Sequence, residues 1–195
     1  DWDTKFVYAE SKVPKTKVSD YIILDTSGSD ITQALLDEKG YSLMISAYKV
    51  HGQVQEVKTS VSDTAFSDSL VITGTDTLRF RVIKEVVHRE STLSSFTANA
   101  EEAALFRDQI NPLVHGFLDK GVKVFAVTGG LGNSQMRDFA AQTGARYPIY
   151  QADDILLKTI MRSNPGLILW KEGKLIDKWH YRHLPSAEAL ERKMK

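Results

Sequence analysis

Short apolar runs alternate along the chain with stretches patterned for helices, and that alternation limits the folds open to it. The runs fall at residues 21–24, 43–48, 122–128, 147–150, 167–170 and 175–181. Buried strands separated by helices specify an α/β fold: a mixed central sheet, mostly parallel, with helices on both faces and an antiparallel hairpin at one edge. The helical stretches carry their own boundary signals. Asp30 caps a helix over residues 31–39 after a Ser27-Gly28-Ser29 turn, and Gly40 takes its C′ position. Asn99 caps a long helix whose first turn holds Glu101 and Glu102, the charge sign its dipole favours. Phe106, Ile110, Leu113 and Phe117 recur on one face of it, Pro112 is expected to kink it, and Gly121 ends it. Asn133 or Ser134 caps the next helix, which stops at Gly144. Asp153 and Asp154 open another, where capping explains them better than paired-acid catalysis, and Pro185-Ser186 opens the last.

Residues 53–98 break this pattern. Serine and threonine dominate, and the clear signal is "LVITGTDTLRFRVIKEVV". Val71 and Ile72, a Gly-Thr-Asp-Thr turn, then Leu78, Phe80 and Val82 alternating with polar residues read as a β-hairpin at about residues 70–87. The α/β pattern resumes afterwards, so these residues are an insertion into a domain spanning residues 20–195, and residues 1–19 are a lead-in segment. Arg79, Arg81, Lys84 and Arg89 lie along the hairpin, as a solvated face or as a contact surface.

Composition excludes several functions. Lysine and arginine total 25 against 25 acidic residues, so no basic excess marks a nucleic-acid partner. There is no cysteine in the 195 residues, which rules out disulfides, cysteine-ligated zinc and thiol catalysis in this chain. No apolar run approaches the ~18 residues of a membrane span. The chain opens on Asp1 rather than methionine and reads as a piece of a longer one, with no signal peptide of its own.

Three segments carry a family resemblance. "YIILDTSGSDITQALLDEKGYSLMISAY" is similar to the opening of the thioredoxin superfamily in its peroxiredoxin and thiol-reductase branch, "GVKVFAVTGG" to its second central strand, and "ARYPIYQADD" to the segment before its proline loop. More narrowly, "LLKTIMRSNPGLILWKEGKLIDKWHYRHLP" resembles the C-terminal soluble domain of some bacterial DoxX-type membrane proteins. The resemblance implies a thioredoxin-like three-layer fold with a cis peptide at Asn164–Pro165, in a loop of Ser163, Asn164 and Pro165 that forms a contact surface. It also implies where thiols belong: a Cys-x-x-Cys at the N-terminus of the first long helix, with a proline five positions after the second cysteine. Counting back from Pro112 puts those positions at Ala104 and Arg107, whereas counting forward from the strand at residues 43–48 puts them at residues 50–53. The insertion separates the two counts, and neither finds a cysteine or a serine or threonine pair.

Other candidates have plainer explanations. "TGGLGNSQ" follows a strand and precedes a helix, but it lacks the third glycine of a dinucleotide loop and the lysine of a phosphate loop, and reads as a connecting turn. His180 and His183 are three apart with no third ligand nearby in sequence, and His88 and His115 are isolated, so no metal is expected. No cofactor is expected either. The leading expectation is a non-catalytic, extracytoplasmic binding or structural domain that docks on its own membrane part or on a membrane protein partner. The alternative is a domain that positions substrate for a membrane oxidoreductase acting on a quinone or a thiol. A third reading is a free-standing, degenerate peroxiredoxin relative.

Overall fold

In the computed structural model, which describes residues 21–73 and 76–195 and, of these, the side chains of all but residue 57 and residues 59–93, six strands form one mixed sheet. They are β1 (Ile23–Leu24), β2 (Tyr41–Ala47), β5 (Lys123–Thr128), β6 (Ile149–Ala152), β7 (Gly166–Lys171) and β8 (Lys174–His180), in the order β1-β6-β5-β2-β7-β8. β2, β5 and β6 run parallel, while β1, β7 and β8 each pair antiparallel with their neighbours. The strands expected at residues 43–48, 122–127 and 167–170 therefore share one sheet, with the last strand at its edge. β7 and β8 are joined by Glu172-Gly173, with φ of 49° and 74°. Positive φ at both central residues is what a two-residue hairpin turn needs to match strand twist.

The central strands are apolar on both faces because both are covered. Leu43, Ile45 and Ala47 of β2 pack with Val124, Ala126, Leu167 and Leu169 on one face, under α2 (Ala100–Leu105), α3 (Asn111–Leu118), α4 (Asn133–Thr143) and α6 (Ala187–Lys193). Met44, Phe125, Val127 and Ile168 point the other way, against Leu35 of α1 (Thr32–Leu36) and Leu157 of α5 (Asp154–Ile160). The crossovers β2→β5 and β5→β6 step in the same direction across the sheet, so the right-handed rule places α2, α3 and α4 on one side.

Between β2 and α2 the chain makes a second, two-stranded sheet of β3 (Gly52–Thr73) and β4 (Asp76–Ala98). The expected hairpin at residues 70–87 is only its distal part. Pairing continues from Thr73↔Asp76 down to Gly52↔Ala98, with a shift between Ala65 and Phe66. Asp76, expected in the turn, is already in β4; Gly74 and Thr75 lie outside the described residues, as do the lead-in segment and the side chains of Arg79, Arg81, Lys84, His88 and Arg89. At the root, Phe96 and Ala98 enter the core, and α4 supplies the partners of the outer edge of β4. Phe96 N–H donates to Asp138 (2.7 Å), Ala98 N–H to Gln142 Oε1 (2.9 Å), and Gln142 Nε2 donates to the Phe96 carbonyl (2.6 Å).

Two helix expectations are corrected. The helix expected at residues 31–39 is only Thr32–Leu36: its start is set by Ile31 N–H donating to the Ile23 carbonyl and by Asp30 bridging Leu24, and it ends at Asp37, short of Gly40. Asp30 still accepts from Thr32 N–H at 2.9 Å. Neither Asn133 nor Ser134 caps α4. Asn133 Nδ2 donates to the Thr26 carbonyl, Ser134 sits 3.4 Å from Ser94, and Gly132 takes the cap position with its N–H on Gln135. Pro112, where a kink is expected, lies in the first turn of α3. A π-helical segment, Phe106–Ile110, precedes it, with Asn111 N–H reaching back to Phe106. The wider turn accommodates a ring that would clash with a regular i−4 carbonyl. It also shifts the buried stripe, so that Val114 is fully buried and Leu113 only partly.

Candidate functional site

Pairing of Ser46 with Gly166 brings the end of β2 beside the start of β7. The loop before β7 therefore meets the segment after β2, and Asn164 clasps it with both ends of its amide: Lys49 N–H donates to Oδ1 (3.3 Å) and Nδ2 donates to the Lys49 carbonyl (2.6 Å). Ser163, 4% exposed, donates to the Pro165 carbonyl and accepts from Tyr181 N–H at 3.2 Å. The Asn164–Pro165 bond is cis. A Cβ on Gly166 would run into the Met161 side chain, which would have to shift to admit a larger residue.

α2 begins across from this loop. Asn99 Oδ1 accepts from the N–H groups of Glu101 (3.0 Å) and Glu102 (3.2 Å), the expected cap. Asn99 N–H donates to the His51 carbonyl at 2.8 Å. Glu102 Oε2 accepts from His51 N–H at 2.9 Å and lies 3.2 Å from His51 Nδ1. The root of the ribbon is thus tied to the first turn of the helix. Between them opens a cleft of about 390 Å³. Asn99, Glu101, Glu102 and Leu105 line it from α2, Asn164 and Pro165 from the loop, and His51 and Tyr181 complete it. The Glu102 side chain is 11% exposed, and its Oε1 is buried with no hydrogen-bond partner among the described residues. Among the described residues, Glu101 and Glu102 are the formal charges on the lining, which has no lysine or arginine. The nearby Arg182 donates to the Tyr181 hydroxyl at 3.0 Å and lies over that ring.

Of the residues expected at a site, Asn164 and Pro165 line this cleft and Ser163 is buried directly behind it. Ala104 and Arg107 do not line it. Ala104 is partly buried in the second turn of α2, and Arg107 is exposed in the π segment, paired with Asp108. The helix starts twelve residues before Pro112, earlier than the backward count assumed. The forward count to residues 50–53 includes His51, which does line the cleft. No sequence signal joins His51 to Glu102, since strand pairing at the root of the ribbon brings them together.

A second cleft lies at the ends of β2, β5 and β6, beside Gly129 and Gly130. A Cβ on Gly129 would come 2.7 Å from Asp154 Cβ and from the Tyr48 carbonyl. The glycine pair therefore serves a tight turn against α5, where Asp153 caps the helix through Leu156 N–H and Asp154 pairs with Lys158 at 2.8 Å. The Lys158 hydrogen bond holds the Asp154 carboxyl below its usual range. His180 and His183 have ring centres 6.3 Å apart, and His180 Nδ1 accepts from Arg182 N–H. Among the described residues no three His, Cys, Asp or Glu side chains group as a metal site, and no helix is long and apolar enough to cross a membrane. No protein-family model matches the chain, and no curated protein matches it.

Proposed function

We propose that this chain is a thioredoxin-like binding module that has kept the frame of a thiol enzyme without its chemistry, and that it takes an extended segment of a partner in the cleft beside the Ser163-Asn164-Pro165 loop. The observation that carries this reading is the placement of the cleft. It opens at the end of central strand β2, between the first turn of a long helix and the loop leading into the antiparallel strand β7. In the superfamily the chain resembles, that is where thiols face an extended substrate; here Asn99 and Glu102 stand three apart at the helix start and no cysteine exists. Main-chain pairing along such a loop would supply affinity in the manner of strand addition. The resemblance to DoxX-type proteins supports a domain outside the cytoplasm, tethered to its own membrane part or docked on a membrane protein partner.

One observation favours the rival reading, substrate positioning for a membrane oxidoreductase acting on a quinone or a thiol. An imidazole held by a carboxylate in an open cleft, as His51 is by Glu102, is suited to accept a proton. Two measurements test the binding-module reading. A photoreactive residue in place of exposed Glu101, in the full-length protein in native membranes, is expected to cross-link to its own membrane part or to a membrane protein. The isolated chain is expected to show no insulin reduction or peroxide consumption above a heat-treated control. Turnover in that assay, or no cross-link in membranes, overturns the binding-module reading.

A further inference from the structure

We infer that the cleft recognises a basic side chain, a lysine ammonium or an arginine guanidinium carried by the bound segment, through the Glu102 carboxylate. This rests on the reading of the cleft as a site for an extended segment. Glu102 is about nine-tenths buried, and its two oxygens are unequally served. Oε2 receives both His51 contacts, while Oε1 is buried without a donor among the described residues. Leaving a buried acceptor unmatched costs about 1–3 kcal/mol, and more when it is charged. A donor arriving with the ligand removes that cost.

The other ligand chemistries fit less well. An anion is usually welcome at a helix N-terminus, but the Glu101 and Glu102 amides already donate to Asn99 Oδ1, and an anion would face two carboxylates. An apolar side chain finds only Leu105, Pro165 and the Tyr181 ring, and leaves Oε1 bare. The Asn164 amide is committed at both ends to Lys49. Arg182, next to the lining residue Tyr181, is held on that ring and makes no ion pair with Glu102. The plainer role for Glu102, stapling the ribbon root to the helix, uses Oε2 alone. It leaves Oε1 without a donor among the described residues.

The test titrates the isotope-labelled 195-residue chain with extended host peptides that differ only at one central position: lysine, acetyl-lysine, norleucine or glutamate. The lysine peptide is expected to bind about tenfold more tightly than the norleucine and acetyl-lysine peptides, the worth of one hydrogen bond between charged groups. The glutamate peptide is expected to bind most weakly, and amide shifts should centre on residues 99–102 and 163–165. Glu102→Gln keeps a carbonyl for the His51 N–H and is expected to erase the lysine preference. Should that variant fail to fold, the lysine against acetyl-lysine comparison on the unaltered chain still decides. Equal binding of all four peptides in the cleft overturns the basic-side-chain inference and leaves the segment-binding reading standing. A lysine preference that survives in folded Glu102→Gln overturns the assignment to Glu102. No shift at those amides with any peptide overturns both.

Discussion

His115 shows how a single residue reports its packing. It sits on α3 with its ring 5.9 Å from that of Tyr147, and its Nε2 accepts from Arg146 N–H at 3.4 Å. Only an unprotonated Nε2 can accept that bond. Burial lowers the His115 pKa most, the Arg146 charge lowers it further, and Asp119 partly opposes both. A histidine whose folded pKa lies below its unfolded value adds nothing at high pH. It costs stability as pH falls through the unfolded value, because the unfolded chain takes up the proton first. His115→Gln is therefore expected to make the stability profile flatter below about pH 6.5 while leaving it nearly unchanged above; denaturant titrations across that range measure it, and an unchanged slope counts against the assignment. In the sequence His115 is an isolated side chain, because its neighbours come from residues 146 and 147. Asn111 was equally silent. It is buried, donating to the Thr143 carbonyl at 2.8 Å and accepting from the Tyr147 hydroxyl at 2.7 Å, yet beside Pro112 it reads only as a helix interruption.

At the scale of elements, signals local to a few residues were legible and those needing a distant partner were not. The caps at Asn99, Asp153 and Ser186 all hold, since each side chain bonds an amide two or three residues ahead. The cap expected at Asn133 fails because residue 26, over a hundred positions away, takes its side chain. The ribbon is the extreme case. Its tip was readable from alternating apolar residues, but strands of 22 and 23 residues exceed the usual ~5–6 so far that serine and threonine runs did not suggest them. A two-stranded sheet is marginal alone, so the root must be held. Asp138 and Gln142 do this through three hydrogen bonds to Phe96 and Ala98. Asp138→Ala combined with Gln142→Ala is expected to speed hydrogen exchange at the Phe96 and Ala98 amides by about tenfold to a hundredfold, as bonds worth about 1 kcal/mol each are lost. Exchange at the β2 amides should scarcely change. If β2 and the root accelerate together, the clamp belongs to the global unfolding unit and is no local hinge.

The whole molecule is a sheet with two covered faces and a long ribbon inserted at the end of its central strand. The sheet was readable from sequence because each strand is short, apolar and bounded by turns. The cleft was only half readable: its loop is one local motif, whereas His51 and Glu102 meet through the closure of 50 intervening positions by strand pairing. That closure predicts how the molecule responds to losing the ribbon. Lys58 and Thr92 face each other across β3 and β4, so replacing residues 59–91 by Asn-Gly leaves a hairpin of acceptable loop geometry. The root survives this change, with Phe96 and Ala98 in the core, the α4 clamp intact and the His51–Glu102 contact in place. The shortened chain is expected to unfold in a single transition within a few degrees of the full chain and to give the same amide spectrum around residues 99–102 and 163–165. If the ribbon carries the partner contact surface, cross-linking in membranes is lost while the peptide response of the cleft persists. A collapsed spectrum would instead assign the distal ribbon to the core, and cross-linking that survives shortening would leave the cleft, without the ribbon, as the surface that meets the partner.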